Sequence, residues 1–533
     1  MNINQSMWSY FLEGNGEKDR VKLIYFGRKI CLSEMTDSVL RTASFLKSRG
    51  VAKGDVVGIM LPNIPEAVLA LYAINSIGGI ASFIDPRIGE LALYKIAKTC
   101  KPKVIFIFDM VFKKHKDILN ELGVLPILCN LFTFAKSPIN LIEKITKIVG
   151  FPYYLDTLKN LPIAEVYKDE GTSPAVYVHS GGTTGEPKTA VFNSKAFNCI
   201  SRGVELAIHS TECFDPDKDS MLMMLPIFHS FGLGVSVHGI LKGITAVLMP
   251  RFNADKALKL IGKYGVTHLS GIPYMYRKMM QSKYFNKKNV SPIKYIFCGG
   301  DRLIPEFKKE FNRKIKELGS EAEILEGYGL TETASVVTVT RKGTNNLNTQ
   351  GQPIDGNEIV IVDKNGAKVK IGEVGEIHVK SDSIMIGYLN DKETNSKVIY
   401  KDGRGERWLK TSDLGRIDSE GLLYFSEREN RTFKIAANMV FPSAIEAIVN
   451  SLEEVSNCCA ARAIDKEGKP FVKLFVVPSS RDSDLENLED LIKSQILKSL
   501  TKYDVPREIE FVSMINMTPF GKADYKSYET NYL

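Results

Sequence analysis

Between residue 56 and about residue 330, short apolar runs alternate with segments whose apolar residues recur at helical spacing. Val56–Leu61, Gly79–Ile84, Lys103–Phe108, Ala175–His179, Met221–Leu225, Thr245–Met249 and Tyr295–Cys298 have strand length and composition. Pro65–Ile77, Leu91–Thr99, Asp255–Lys263 and Pro305–Leu318 read as amphipathic helices between them. This alternation predicts parallel sheets covered by helices, an α/β architecture. Such folds place ligands in the loops at the carboxyl ends of the strands.

Beyond about residue 355 the texture changes. Glu358–Val362, Glu376–Lys380 and Leu422–Phe425 read as strands of an antiparallel unit, with Lys364-Asn365-Gly366 as a turn. The last hundred residues read as a small α+β domain, with strands Val472–Val477 and Glu508–Val512 and a helix over Leu485–Leu500. The charged stretch Glu427–Arg431 is the expected boundary, giving domains 1–428 and 429–533. Ser137-Pro138, the apolar positions Ile139, Leu141, Ile142, Ile145, Ile148 and Val149, and then Gly150 predict a capped amphipathic helix. Its apolar face either packs on the protein's own core or touches lipid or an acyl chain.

A chain of 533 residues holds roughly three to four domain-sized units at about 150 residues each. No apolar run reaches the roughly 18 residues of a membrane-spanning helix, and residues 1–14 lack the pattern of a secretory signal. A cytoplasmic location is expected, with at most transient peripheral membrane contact. The eight cysteines are scattered, without zinc-type spacing, and are expected to be reduced. The net charge of +8 comes from dispersed lysines, with no nucleic-acid motif, so no nucleic-acid partner is expected. A mildly basic surface suits polyanionic small molecules such as nucleotides.

The strongest local signal is Ser180-Gly181-Gly182-Thr183-Thr184-Gly185-Glu186-Pro187-Lys188, directly after a predicted strand. Its glycines let backbone amides approach an anion, and two threonine hydroxyls and a lysine add donors for phosphate oxygens. It is not a Walker A loop, because the GxxxxGK[ST] spacing is absent.

This segment resembles the phosphate loop of the AMP-forming acyl-CoA synthetase, or adenylate-forming, superfamily. Further segments resemble that family's motifs in the family's order. Pro226-Ile227-Phe228-His229-Ser230-Phe231-Gly232 is similar to the acid-pocket segment, and Cys298-Gly299-Gly300-Asp301 to the loop beside the adenine. Glu326-Gly327-Tyr328-Gly329-Leu330-Thr331-Glu332-Thr333 resembles the adenine and magnesium motif. Thr411-Ser412-Asp413 is similar to the ribose motif, with serine in place of the usual glycine. Arg428 to Glu446 resembles the hinge region, and Gly521-Lys522 the C-terminal lysine loop.

The resemblance implies a large N-terminal domain of helix-covered parallel sheets with an antiparallel barrel-like unit, and a small mobile C-terminal α+β domain. It implies ATP, Mg2+ and CoA as cofactors and co-substrates. Thr183, Thr184 and the glycines 181, 182 and 185 would cradle phosphates, with Ser180 and Lys188 beside them. Tyr328 would stack on adenine, flanked by Gly300, Asp301, Glu326, Gly327 and Gly329. Thr331 would donate to the α-phosphate. Glu332, with Thr184, would hold Mg2+. Asp413 would accept the ribose hydroxyls, with Arg428 and Lys434 nearby. Lys522 would stabilise charge in the displacement at the α-phosphorus. Phe228, His229, Ser230, Gly232, Gly300 and Gly327 would line the acid pocket, with His229 either gating it or serving structure.

Three further positions depart from the family pattern: Asn430 at the hinge, and Ala436 and Ala437 at the thiol tunnel, where Ala437 replaces a glycine. The implied activity is conversion of a carboxylic acid, ATP and CoA to acyl-CoA, AMP and pyrophosphate. Ile227 to Val235 contains no acidic residue to pair a substrate ammonium, so a fatty or other apolar acid is expected. A separate acyl carrier protein is the alternative thiol acceptor, and a catalytically silent nucleotide-binding protein the alternative class. A monomer or homodimer is expected.

Overall fold

The computed structural model describes the chain except residues 17, 143–146, 149, 159–160, 182–186, 209–214, 242, 429–430, 437, 481–483, 517–522 and 532–533. Side chains are also undescribed at 180–181, 187, 205–208, 236–241 and 531.

Two large sheets dominate. In the first, Ile80–Phe83, Val56–Met60, Val104–Phe108, Leu125–Cys129 and Pro174–Gly181 run parallel. Pro187–Asn193 and Gly387–Tyr388 extend it antiparallel at one edge. Val56–Met60 is buried at every position, which is why it reads as an unbroken apolar run rather than an alternating one. The second sheet has six parallel strands: Ile324–Tyr328, Tyr295–Cys298, His268–Gly271, Ser220–Met223, Thr245–Leu248 and Val21–Tyr25. The helix Pro65–Ser76 is buried along all its residues and shares one apolar cluster with Val57 of the first sheet and Leu23 and Ala246 of the second. A helix apolar all round belongs between layers.

Helix ends follow local chemistry. Asn253 caps Ala254–Tyr264 by accepting from the Lys256 amide, and Gly265 ends it in the left-handed region at φ +62°. Pro305 opens Pro305–Glu317 at its first turn.

The antiparallel unit comprises Asn357–Val362, Gly375–Ser381, Arg407–Ile417, Ile399–Lys401 and Leu423–Arg428. The C-terminal region has a sheet of Glu508–Phe511, Pro470–Pro478, Val455–Ile464 and Thr530–Asn531. The helices Pro442–Val449 and Leu485–Ser499 share its apolar core.

Two expectations change. The N-terminal 55 residues, for which no element was expected, form the helix Met7–Asn15, the hairpin Val21–Cys31 and the helix Leu32–Ser48. The hairpin is completed by pairing Leu23 with Ala246, a contact no local pattern announces. The predicted helix over 139–149 does not run through. Residues 137–140 form a turn, 141–142 are helical, and Lys147 and Ile148 are not; 143–146 and 149 lie outside the described residues. The Ile148 amide donates instead to the Tyr153 hydroxyl at 2.8 Å, and its side chain packs on the cluster of Phe112 and Tyr153.

Candidate active site

The strand Ile324–Tyr328 delivers the central motif at its carboxyl end. Gly329 follows where a Cβ would lie 1.7 Å from the Ser335 carbonyl oxygen, so no other residue fits that backbone. The 3-10 turn Thr331–Thr333 then presents Glu332. Tyr328 is buried, stacks on Phe425 with centroids 5.9 Å apart, and donates its hydroxyl to Asp413 Oδ2 at 2.8 Å. Burial and the neighbouring Asp413 carboxylate push the Tyr328 phenol well above its ordinary pKa.

Asp413 lies within Arg407–Ile417, paired in register with Arg428 on Leu423–Arg428. The Arg428 Nε is 3.5 Å from Asp413 Oδ1. Against partial desolvation, the carboxylates of Asp413 and Glu332 hold the Arg428 pKa above its usual value. Ser412 takes φ +56°, the left-handed conformation that the usual glycine would adopt without strain. Its amide is held by Glu376 Oε1 at 3.0 Å.

Glu326, in the same strand as Tyr328, has a buried carboxylate that accepts from Gln350 Nε2 at 2.8 Å and lies 3.7 Å from Lys308 Nζ.

The segment 226–232, expected to line the acid pocket, lies where Ser220–Met223 gives way to the helix Ser230–Leu241. Asn63, which carried no sequence signal, fixes this turn: its amide donates to the Met223 and Leu225 carbonyls at 3.0 and 2.8 Å and accepts from the Ile227 amide at 2.8 Å. Gly232 packs so closely that a Cβ would meet the Pro226 oxygen at 2.0 Å. The Ser230 hydroxyl reaches Thr331 at 3.4 Å, joining this segment to the central motif. Phe228 is buried, with His229 4.9 Å away by ring centroid and the Arg87 guanidinium 5.4 Å above it. Gly300 has φ +76°, and a Cβ there would meet Phe231 and Ile272 at 3.6 Å. Gly232 and Val235 border a crevice of only ≈ 10 Å³, lined also by Leu222, Met223, Met224, Leu225 and Ser270.

Lys188 and Glu332 converge on a residue that sequence reading missed, Tyr388. Its hydroxyl donates to Glu332 Oε1 at 2.5 Å, and the Lys188 ammonium sits 5.1 Å from its ring centroid. Lys188 also donates to the Thr394 hydroxyl at 3.2 Å and lies 3.8 Å from Asp391. Asp301 is exposed and accepts from the Arg302 amide. Lys434 is exposed on the hairpin Phe433–Ile435/Asn438–Val440, whose turn holds Ala436 at φ +47°. Gly182, Thr183, Thr184, Gly185, Asn430, Ala437 and Lys522 lie outside the described residues, as do the side chains of Ser180 and Gly181. Among the described residues no three His, Cys, Asp or Glu side chains cluster as metal ligands.

Comparison with known proteins gives this arrangement a family. Residues 12–389 match the model of the AMP-binding enzyme family, and 444–522 match the AMP-binding enzyme C-terminal domain. The chain is 27% identical over 523 residues to a long-chain-fatty-acid–CoA ligase of Bacillus subtilis, covering 95% of this chain and 90% of that protein. It is 27% identical over 489 residues to a 4-coumarate–CoA ligase of Vanilla planifolia, covering 90% and 85%. The anthranilate CoA ligase AuaEII, solved with anthranoyl-AMP, superposes with a TM-score of 0.86 at 19% identity, over 99% of this chain and 97% of that one. A benzoate CoA ligase from Burkholderia xenovorans LB400 superposes with a TM-score of 0.84 at 19% identity, over 98% and 99%. At that identity the structures speak for the fold, and the family match speaks for the chemistry. The chain belongs to the AMP-binding enzyme family, within the adenylate-forming superfamily that includes the acyl-CoA synthetases.

Proposed function

We propose that this enzyme adenylates an apolar carboxylic acid and then transfers the acyl group to CoA. The observation that carries the first half is the Tyr328–Asp413–Arg428 cluster, an aromatic face beside a buried carboxylate with a cationic neighbour. Tyr328 packs on the adenine, and Asp413 accepts the ribose hydroxyls. Thr331 donates to the α-phosphate, Arg428 adds a charged donor beside Asp413, and the 180–188 segment takes the outgoing phosphates. The acid carboxylate attacks the α-phosphorus, its bond to the β-phosphate oxygen breaks, and pyrophosphate leaves. Lys522 stabilises the charge that develops there. CoA sulfur then displaces AMP from the acyl carbon.

Glu332 fits a magnesium ion: it offers hard carboxylate oxygen, and a site with one carboxylate suits a metal completed by phosphate and water oxygens. When bound, the ion would neutralise charge on the phosphates. On the protein side, Glu332 holds its position at the turn after Tyr328.

The acid class follows from the Ile227–Val235 segment, which contains no acidic side chain, so an ammonium-bearing acid finds no counter-charge there. The named relatives include enzymes for fatty and for aromatic acids, and both are apolar. Pyrophosphate release across medium- and long-chain fatty acids, cinnamic and benzoic acids and amino acids tests the reading. Turnover confined to the apolar members supports it, and preference for an amino acid overturns it.

A further inference from the structure

The segment 385–389 joins the strand that leaves the phosphate loop to the turn that carries Glu332. On one side, the Ile386 amide donates to the Val191 carbonyl at 2.6 Å and the Leu389 amide to the Thr189 carbonyl at 2.8 Å. On the other, the Met385 amide donates to the Glu332 carbonyl at 2.8 Å, and the Tyr388 hydroxyl to the Glu332 carboxylate at 2.5 Å. Glu332 is thus gripped by main chain and side chain from one five-residue segment. Tyr388 is itself fixed by Asn395, which accepts from its amide at 2.7 Å and donates to its carbonyl at 2.8 Å. Gly387 allows this approach, since a Cβ there would meet Asn395 Nδ2 at 2.9 Å.

A hydroxyl donated to one carboxylate oxygen fixes the plane of the carboxylate and leaves the second oxygen to bind. The same ring supports the Lys188 ammonium. We infer that Tyr388 is a positioning residue for metal–nucleotide binding, holding Glu332 in the orientation a divalent cation requires. The inference rests on the reading of Glu332 as the metal carboxylate. Partners one shell beyond a metal ligand typically change metal affinity by about 10- to 100-fold when removed.

The test uses Tyr388→Phe, which removes the hydroxyl and keeps the ring under Lys188, beside Glu332→Gln. Mn2+ binding to the full-length protein saturated with a non-hydrolysable ATP analogue is read by electron paramagnetic resonance. Tyr388→Phe is expected to weaken Mn2+ binding by about tenfold, while affinity for the metal-free analogue changes less than twofold. Pyrophosphate release by the variant is expected to recover at high Mg2+. Unchanged Mn2+ affinity in Tyr388→Phe, with loss in Glu332→Gln, overturns the role of Tyr388 and leaves the Glu332 reading standing. Unchanged affinity in both overturns the Glu332 reading and this inference with it. Should Tyr388→Phe fail to fold, Asn395→Ala releases Tyr388 from its clamp; weaker Mn2+ binding is again expected, and unchanged binding overturns the inference.

Discussion

Asp413 is a single buried carboxylate on which several neighbours converge. Tyr328 donates to it, Arg428 lies beside it, and the left-handed Ser412 turns it inward. In the proposed function it also accepts two ribose hydroxyls. Charge-assisted hydrogen bonds are worth roughly 1.5–3 kcal/mol each, so Asp413→Ala should weaken ATP binding by about tenfold or more. Acid binding should change little. Calorimetric titration with ATP checks this, and wild-type nucleotide affinity in the variant would remove the ribose assignment. Tyr328, Glu332 and Asp413 could be singled out in the sequence as candidates because each sits in a motif of distinctive neighbours. Asn63 and Tyr388 were not, because their roles depend on partners 164 and 56 residues away and their local sequence carries no signature. The partners of the Glu326 carboxylate, Lys308 and Gln350, are likewise not announced by its motif.

Among elements, the strand Pro174–Gly181 matters most, because the Gly/Thr-rich sequence proposed to take phosphates follows it along the chain. Its His179 is buried between Ser82 at 2.9 Å and Thr189 at 3.0 Å. Burial lowers the His179 pKa to about 4. The folded state therefore binds fewer protons than the unfolded chain between the ordinary histidine value and pH 4. The His179 contribution to stability is full above about pH 6.5 and is lost as the pH drops toward 4, by on the order of 3 kcal/mol. Buried His115 is lowered in the same direction, so it adds to the slope. His179→Gln should flatten the pH dependence of denaturant unfolding across that window while leaving part of the slope. An unaltered slope would show that His179 is not buried neutral. The strand was legible because it is an apolar run ending in a Gly/Thr-rich loop. The two-residue strand Gly387–Tyr388 was not, since it is too short for any periodicity and exists only by pairing with Pro187–Asn193.

For the whole molecule, the order of the motifs along the chain was informative where local pattern was not. The alternation of strands and helices predicted parallel sheets, but not that a mixed sheet would recruit the N-terminal hairpin, because that pairing spans more than two hundred residues. The proposed division into 1–428 and 429–533 puts the nucleotide cluster and Lys522 on opposite sides of the hinge. If the C-terminal domain alternates between half-reactions, Lys522→Ala should slow acyl-AMP formation by about 10²- to 10³-fold. It should still convert supplied acyl-AMP and CoA to acyl-CoA at a near-normal rate. Equal loss in both steps, read by single-turnover kinetics, would refute the alternation.

The central claim is that the acid is activated as its adenylate. Acyl transfer from an acyl-AMP leaves one carboxylate oxygen of the acid on the phosphate of AMP. The most direct measurement supplies an apolar acid with both carboxylate oxygens as 18O, with ATP, Mg2+ and CoA, and reads the products by mass spectrometry. The account predicts AMP carrying one 18O and unlabelled pyrophosphate, whereas ADP with label in inorganic phosphate would show an acyl phosphate instead and contradict it.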